Sequence, residues 1–72
     1  MNTNDRLIRR PEVSRMTGMT RYMIDLLEDV GAFPKRMRVG ARSVFWSQAE
    51  VSDFVETAKQ RRSGATHVGG DQ

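Results

Sequence analysis

The chain has 72 residues and no cysteine, with 12 basic and 9 acidic side chains and a formal net charge of +3. This length predicts one small domain, and the absence of cysteine excludes disulfides, thiolate catalysis and cysteine-based metal sites. The weak positive charge does not by itself indicate a nucleic acid partner, but every basic residue except Lys35 and Lys59 is an arginine, whose planar fork suits phosphate and guanine.

The chain begins with a polar stretch, residues 1–5, that we expect to be a disordered lead-in. Arg6–Arg9 then predicts a short extended segment in which Leu7 and Ile8 pack against the domain. The polar start of the chain predicts no signal peptide, and no apolar run reaches membrane-spanning length. A cytoplasmic location is therefore expected.

The segment from Pro11 to Val30 predicts two short helices joined by a tight turn. Pro11 suits the first helical turn, Gly18 suits a left-handed C-cap, and Thr20 suits the N-cap of the second helix. Residues with helical spacing predict the buried faces: Val13, Met16, Met23, Ile24 and Leu27. The pattern favours a helix-turn-helix whose second helix enters the DNA major groove, although a plain helical hairpin shares it.

The next segment predicts a β-hairpin, with strands over 36–39 and 43–46 and a turn over 40–42. Alternation assigns Met37, Val39, Val44 and Trp46 to the core and Arg36, Arg38 and Phe45 to the outer face. Residues 47–50 form a capping box that opens a third helix, which carries the core residues Val51, Phe54 and Val55 and ends near residue 61 or 62. Residues 63–72 predict a disordered tail, so the domain is expected to span 6–62.

The residues offer little support for catalysis. His67, the only histidine, lies in the predicted tail, and Tyr22, the only tyrosine, has too little chain around it to build a closed pocket. Asp25, Glu28 and Asp29 share a helix face, which we interpret as exposed and solvated because hard metals need more oxygen ligands than these. We therefore predict a protein that is not an enzyme and holds no cofactor and no metal.

The charge pattern favours a DNA interface. Thr20, Arg21 and Tyr22 would begin the helix that meets base edges, although Arg21 would equally form a surface pair with Asp25. The predicted wing carries a basic set without an acid: Lys35, Arg36, Arg38 and Arg42. The alternative for Arg36 and Arg38 is the ordinary polar face of a sheet. Phe45 would be a protein contact, a wedge between bases, or a residue covered by the third helix or the tail.

The order and spacing of several short motifs resemble one protein family from Arg6 to about Val55. These motifs are Arg6-Leu7-Ile8-Arg9, Pro11-Glu12-Val13, Thr17-Gly18-Met19-Thr20, Ile24, Gly31 with Phe33-Pro34-Lys35, Val39-Gly40, Arg42, Val44, Trp46 and Glu50-Val51. They are similar to those of the winged-helix phage excisionases and AlpA-type prophage regulators, which have a MerR-like fold. The resemblance implies an α+β, mainly helical, winged helix-turn-helix of three helices plus a short β-hairpin wing.

The same resemblance implies a function and a set of contacts. Thr20, Arg21 and Tyr22 match the start of the family's recognition helix, and Arg42 matches its wing. Asp25 departs from the family's usual aromatic or polar residue; either it limits entry into the groove to the first turn of the helix, because an acid near phosphate costs affinity, or it accepts a hydrogen bond from a cytosine N4. Arg10 stands where an apolar residue is usual, and with Arg9 it would add phosphate contacts.

The resemblance leads to a prediction of an excisionase that binds and bends attachment-site DNA cooperatively and favours excision by an integrase. The alternative is a transcriptional regulator that binds a promoter through the same surfaces. A further alternative is an adaptor that binds protein rather than DNA through Phe45 and the acidic helix face. The expected partners are double-stranded DNA, a phage integrase and a second copy on DNA, with no membrane, in the nucleoid of a bacterial host.

Overall fold

A computed structural model of the chain describes residues 5–65. It contains three helices and three strands, in the order β1 (Leu7–Ile8), α1 (Arg10–Thr17), α2 (Arg21–Asp29), β2 (Met37–Val39), β3 (Ser43–Ser47) and α3 (Gln48–Ala65). The strands form one antiparallel sheet in the order β1-β3-β2. The predicted fold class, a mainly helical α+β winged helix-turn-helix, is confirmed. None of the helices within 5–65 is both long and apolar enough to cross a bilayer.

Local signals set the helix-turn-helix as predicted. Gly18 ends α1 in the left-handed region at φ 75°, where a side chain would be strained, and its N–H donates to the Ser14 carbonyl at 2.7 Å. The Thr20 hydroxyl accepts a hydrogen bond from the backbone N–H of Met23 at 3.2 Å, so Thr20 is the N-cap of α2. The turn between the helices is therefore held by one cap on each side.

The core lies where α1, α2 and α3 meet the sheet. Its buried residues are Ile8, Val13, Ile24, Phe33, Trp46 and Val51, with Met16, Leu27, Val44 and Phe54 packed against them. Trp46 is fully buried, which confirms it as the core anchor, and the rings of Phe33 and Phe54 meet edge to face at 4.7 Å. Met23 was predicted to join this core and does not, since 38% of it is exposed.

The two faces of the hairpin differ from the prediction. Met37 and Val39 were assigned to the core, but they are 37% and 47% exposed. The reason is the register: Met37 pairs with Phe45 and Val39 with Ser43 across a three-residue turn, and directly opposite residues share a face. The face of β2 that adjoins Trp46 therefore carries Arg38. Arg36, which directly precedes β2, lies toward the same side, against the Trp46 ring. Arg36, predicted to point outward, is correspondingly half-buried.

The start of α3 depends on a residue that we had placed in the lead-in. Asp5 accepts a hydrogen bond from the Ser47 hydroxyl at 2.7 Å and another from the Ala49 backbone N–H at 2.9 Å. The Arg6 carbonyl accepts from the Gln48 N–H at 2.8 Å, and the Ser47 hydroxyl itself accepts from the Glu50 N–H, as predicted. Asp5 therefore helps to cap α3, because the N–H groups that open a helix need acceptors.

The end of α3 is later than predicted. The helix continues to Ala65 rather than ending near residue 61 or 62, so the first three residues of the predicted tail are helical. The rest of that tail, including His67, lies outside the described residues.

Candidate nucleic-acid interface

The first turn of α2 is open to solvent. The side chain of Arg21 is 76% exposed, and Tyr22 is 71% exposed. Both follow directly after the Thr20 cap, so the helix start that carries them is fixed while their side chains remain free to contact another molecule. Thr20, Arg21 and Tyr22, the predicted start of the recognition helix, therefore lie at the exposed N-terminal end of α2.

The outward face of α2 is more apolar than the prediction recognised. Met23 and Leu26 within α2 and Val30 directly after it are 38%, 41% and 67% exposed, whereas Ile24 is buried. Leu26 follows Tyr22 by four residues, so the two side chains lie one turn apart on the same face. The available signal was the phase of the helix: once Ile24 and Leu27 face the core, Tyr22 and Leu26 must face outward.

Glu28 contradicts the predicted solvated acidic face, because it is only 6% exposed. Its carboxylate accepts a hydrogen bond from the Nε of Arg36 at 2.8 Å, an ion-pair contact from the Arg36 Nη2, and a bond from the backbone N–H of the same residue. Burial alone would raise the pKa of Glu28, but the bonds from Arg36 outweigh it and hold the pKa below its ordinary value of 4.5. Glu28 is thus a buried residue of α2 whose charged carboxylate is paired with Arg36.

Asp25 joins the same cluster from the neighbouring turn of α2. Its Oδ1 lies 2.6 Å from the Arg36 Nη2 and 3.2 Å from the Arg10 Nη2, and its Oδ2 lies 3.9 Å from the Arg21 Nε. The hydrogen bond from Arg36 is the main reason that the pKa of Asp25 is lowered from 3.8. The carboxylate that was predicted to meet a cytosine is therefore already shared among arginines.

Trp46 completes this cluster, which we call the α2 clamp: Arg10, Asp25, Glu28, Arg36 and Trp46. The guanidinium carbons of Arg10 and Arg36 lie 5.1 and 5.2 Å from the centre of the Trp46 ring, within cation–π range. The clamp joins α1, α2, the segment before β2, and β3. Arg10 and Arg36, with side chains only 17% and 26% exposed, are held inside the domain rather than presented at its surface.

The remaining basic residues predicted for the wing stand in solvent. Lys35, Arg38 and Arg42 are all exposed, and Arg42 belongs to the turn between β2 and β3. Arg9 lies over the ring of Phe45 with its guanidinium carbon 4.8 Å from the ring centre. Phe45 is therefore partly covered by Arg9, a cover that the prediction did not consider.

Within the described residues, no group of three or more histidine or acidic side chains is arranged to hold a metal ion. The acidic groups of α2 that come closest to such an arrangement are neutralised by arginine.

A helix-turn-helix in which the first turn of the second helix is exposed, with a basic hairpin beside it, defines a winged helix-turn-helix protein. The family model described as prophage CP4-57 regulatory protein, AlpA, matches residues 6–59, so the chain belongs to the AlpA family of prophage regulatory proteins. It is also 36% identical over 53 residues to the uncharacterized protein ORF88 of enterobacteria phage P4. That alignment covers 74% of this chain but only 60% of the relative's length. No solved structure gives a significant match.

Proposed function

We propose that this protein is a prophage regulator that binds double-stranded DNA, with the first turn of α2 in the major groove and the β2–β3 hairpin as a wing on the phosphate backbone. The observation that carries the proposal is the exposure of Arg21 and Tyr22 directly after the Thr20 cap of a helix-turn-helix. Membership of the AlpA family supports a regulatory role.

Arg21 is the proposed reader of a base edge. Its Nε lies 3.9 Å from Asp25, a long contact between exposed groups, and such pairs are worth only a few tenths of a kcal/mol. Release of Arg21 toward DNA therefore costs little, and a bidentate contact with guanine offsets it. Tyr22 lies beside it and offers a hydroxyl to phosphate.

The proposed phosphate contacts are a smaller set than the sequence predicted. Lys35, Arg38 and Arg42 are exposed and remain in the set. Arg10 and Arg36 leave it because the clamp already engages them. Arg9 can contact phosphate only after it leaves the Phe45 ring. The cation–π contact that it would lose is worth about 0.5–1 kcal/mol at an exposed site.

The finer role takes two forms that use the same surfaces. An excisionase would bind and bend attachment-site DNA, associate with further copies there and partner an integrase. A transcriptional regulator would bind a promoter, a form that membership of a family of regulatory proteins supports. A protein-binding adaptor is less well supported, since Glu28 is buried and Arg9 covers Phe45.

A gel-shift titration on circularly permuted fragments from the attachment site and from the gene's own promoter, at two salt concentrations, tests the proposal. Salt-sensitive complexes on either fragment support DNA binding, because each neutralised phosphate contributes a slope of about −0.9 in log K against log salt. A ladder of bent complexes on the attachment site supports the excisionase, whereas a single unbent complex on the promoter supports the regulator. No salt-sensitive binding to either fragment would leave the adaptor.

Two variants and a control separate the proposed roles. Arg21→Ala should cost roughly 1–3 kcal/mol of specific binding and relax sequence preference, because it removes a base contact. Arg42→Ala should weaken all sequences alike and reduce the salt slope by about one unit. Arg61→Ala removes the same charge from an exposed position on α3 and should change neither quantity by as much. If Arg61→Ala changes affinity and salt slope as much as Arg21→Ala and Arg42→Ala do, then the net charge of the protein, rather than contacts at these two sites, determines DNA binding.

A further inference from the structure

The outward face of α2 has a chemical character that the proposed function does not yet use. Tyr22 and Leu26 lie one turn apart on it, 71% and 41% exposed, and Met23 adjoins them with 38% exposure. Their side chains are apolar apart from the tyrosine hydroxyl. This face is the part of a recognition helix that lies nearest the floor of the groove.

The polar groups around that face are mostly engaged elsewhere. The Asp25 carboxylate is shared by Arg10 and Arg36, and the Glu28 carboxylate is buried against Arg36. Asp29 is exposed but is the last residue of α2, the end that lies farther from the bases when a helix enters by its first turn. Between Arg21 and Asp29, the face that meets the groove therefore offers mainly apolar surface, with the Tyr22 hydroxyl as its one exposed hydrogen-bonding group.

We propose that Tyr22, Met23 and Leu26 read thymine through its C5-methyl group. That methyl is the distinctive apolar group on a base edge in the major groove, where the other distinguishing groups are donors and acceptors. The inference rests on the proposed DNA binding and names what that site selects. Exposed apolar residues also suit a protein partner, but Arg21 precedes these residues and Lys35 lines the same surface depression as Tyr22 and Leu26. Asp25, Glu28 and Asp29 line that depression too, but Arg36 pairs with Asp25 and Glu28. The exposed cations Arg21 and Lys35 are thus placed to face the phosphates of a groove that holds the apolar strip.

The test removes one methyl from DNA and one side chain from the protein. A site is first selected by the wild-type protein from a pool of random duplexes, and each thymine in it is then replaced in turn by deoxyuridine, which lacks only the methyl. At a contacted thymine we expect affinity to fall roughly fourfold, the factor for one buried methyl group. Leu26→Ala should bind the thymine site more weakly and show no further loss at the deoxyuridine that Leu26 contacts.

Leu7→Ala is the matched control, because Leu7 is the same residue type and is 45% exposed, close to the 41% of Leu26, but lies on β1. It should retain the full deoxyuridine effect. Helix content measured by circular dichroism establishes that both variants are folded. The comparison is a double-mutant cycle, so a general change in DNA stiffness caused by deoxyuridine cancels.

Four results would overturn the inference. Specific, salt-sensitive binding that is indifferent to deoxyuridine at every position would remove thymine reading and leave DNA binding intact. An equal deoxyuridine effect in wild type, Leu26→Ala, Met23→Ala and Tyr22→Ala would assign the methyl contact to other residues. Loss of self-association in Leu26→Ala without DNA, with an unchanged deoxyuridine effect, would assign the face to a second copy. A failed selection would overturn the proposed function together with this inference.

Discussion

Arg36→Met tests whether the α2 clamp supports the fold or leaves Arg36 available for DNA. The substitution keeps much of the side-chain stem and removes the guanidinium that pairs with Glu28, which is 6% exposed. Removal of one partner from a buried ion pair costs about 3–5 kcal/mol, because the other charge stays buried and unpaired. Since 26% of the Arg36 side chain is exposed, we expect the lower end, about 3 kcal/mol. A domain of this length has on the order of 5 kcal/mol in total.

A second substitution separates the charge effect from lost packing. Glu28→Gln in the Arg36→Met background removes the stranded carboxylate and should restore about 1 kcal/mol or more, the coupling expected of groups in contact. Arg38→Met is the control, since Arg38 is an exposed neighbour on β2, and it should change stability by less than about 0.5 kcal/mol.

Urea unfolding followed by far-ultraviolet circular dichroism measures these free energies. Trp46 fluorescence is the poorer probe, because Arg36 lies against its ring and the substitution would change the signal of the native state. If Arg36→Met lowers the free energy of unfolding by no more than Arg38→Met does, then Glu28 and Arg36 do not form a stabilising pair. Arg36 would then be available again as a proposed phosphate contact.

Three further predictions follow from hydrogen bonds and ion pairs in the described residues. Folding lowers the pKa values of Asp25 and Glu28, so these carboxylates contribute their full stabilisation of the folded state above the ordinary values of 3.8 and 4.5. That stabilisation is lost as the pH falls through the folded-state pKa values, so the melting temperature should drop below pH 4.5. A melting temperature that does not change with pH in this range would contradict the α2 clamp. Thr20→Ala should cost about 1 kcal/mol and lower the melting temperature by about 4–8 °C, whereas Thr57→Ala inside α3 should not; equal effects would deny Thr20 its capping role. Asp5→Ala should lower the melting temperature and speed amide exchange at the start of α3, and unchanged exchange at Ala49 would refute the cap.

The features that were predicted correctly depend on residues close together in sequence. Gly18 and Thr20 determine the turn of the helix-turn-helix through bonds within four residues of themselves. The same holds for Ser47 at the start of α3, and helical spacing was enough to assign Val13, Ile24 and Val51 to the core.

Apart from Met23, which the helical pattern of α2 wrongly assigned to the core, the features that were missed depend on pairing between distant segments. Alternation shows that the residues of a strand divide between two faces but does not show which face is buried, and a shift of one residue exchanges them. The turn over 40–42 contained the missing information, because a three-residue turn pairs Val39 with Ser43 and so separates Met37 from Trp46. Glu28 seemed exposed because its partner Arg36 is eight residues away, beyond the reach of a helix pattern. Asp5 reaches Ser47 across 42 residues, and no local signal reports such a contact.

The three-residue turn between β2 and β3 also limits how the wing can change length during evolution. A change of length there leaves both faces as they are only if it is taken up within the loop, so that Val39 still pairs with Ser43 and Met37 with Phe45. A slip of one residue in the strand pairing would instead turn Met37 toward Trp46 and Arg36 away from Glu28. Wherever the Glu28–Arg36 pair is kept, changes in wing length should therefore be confined to the loop between Val39 and Ser43.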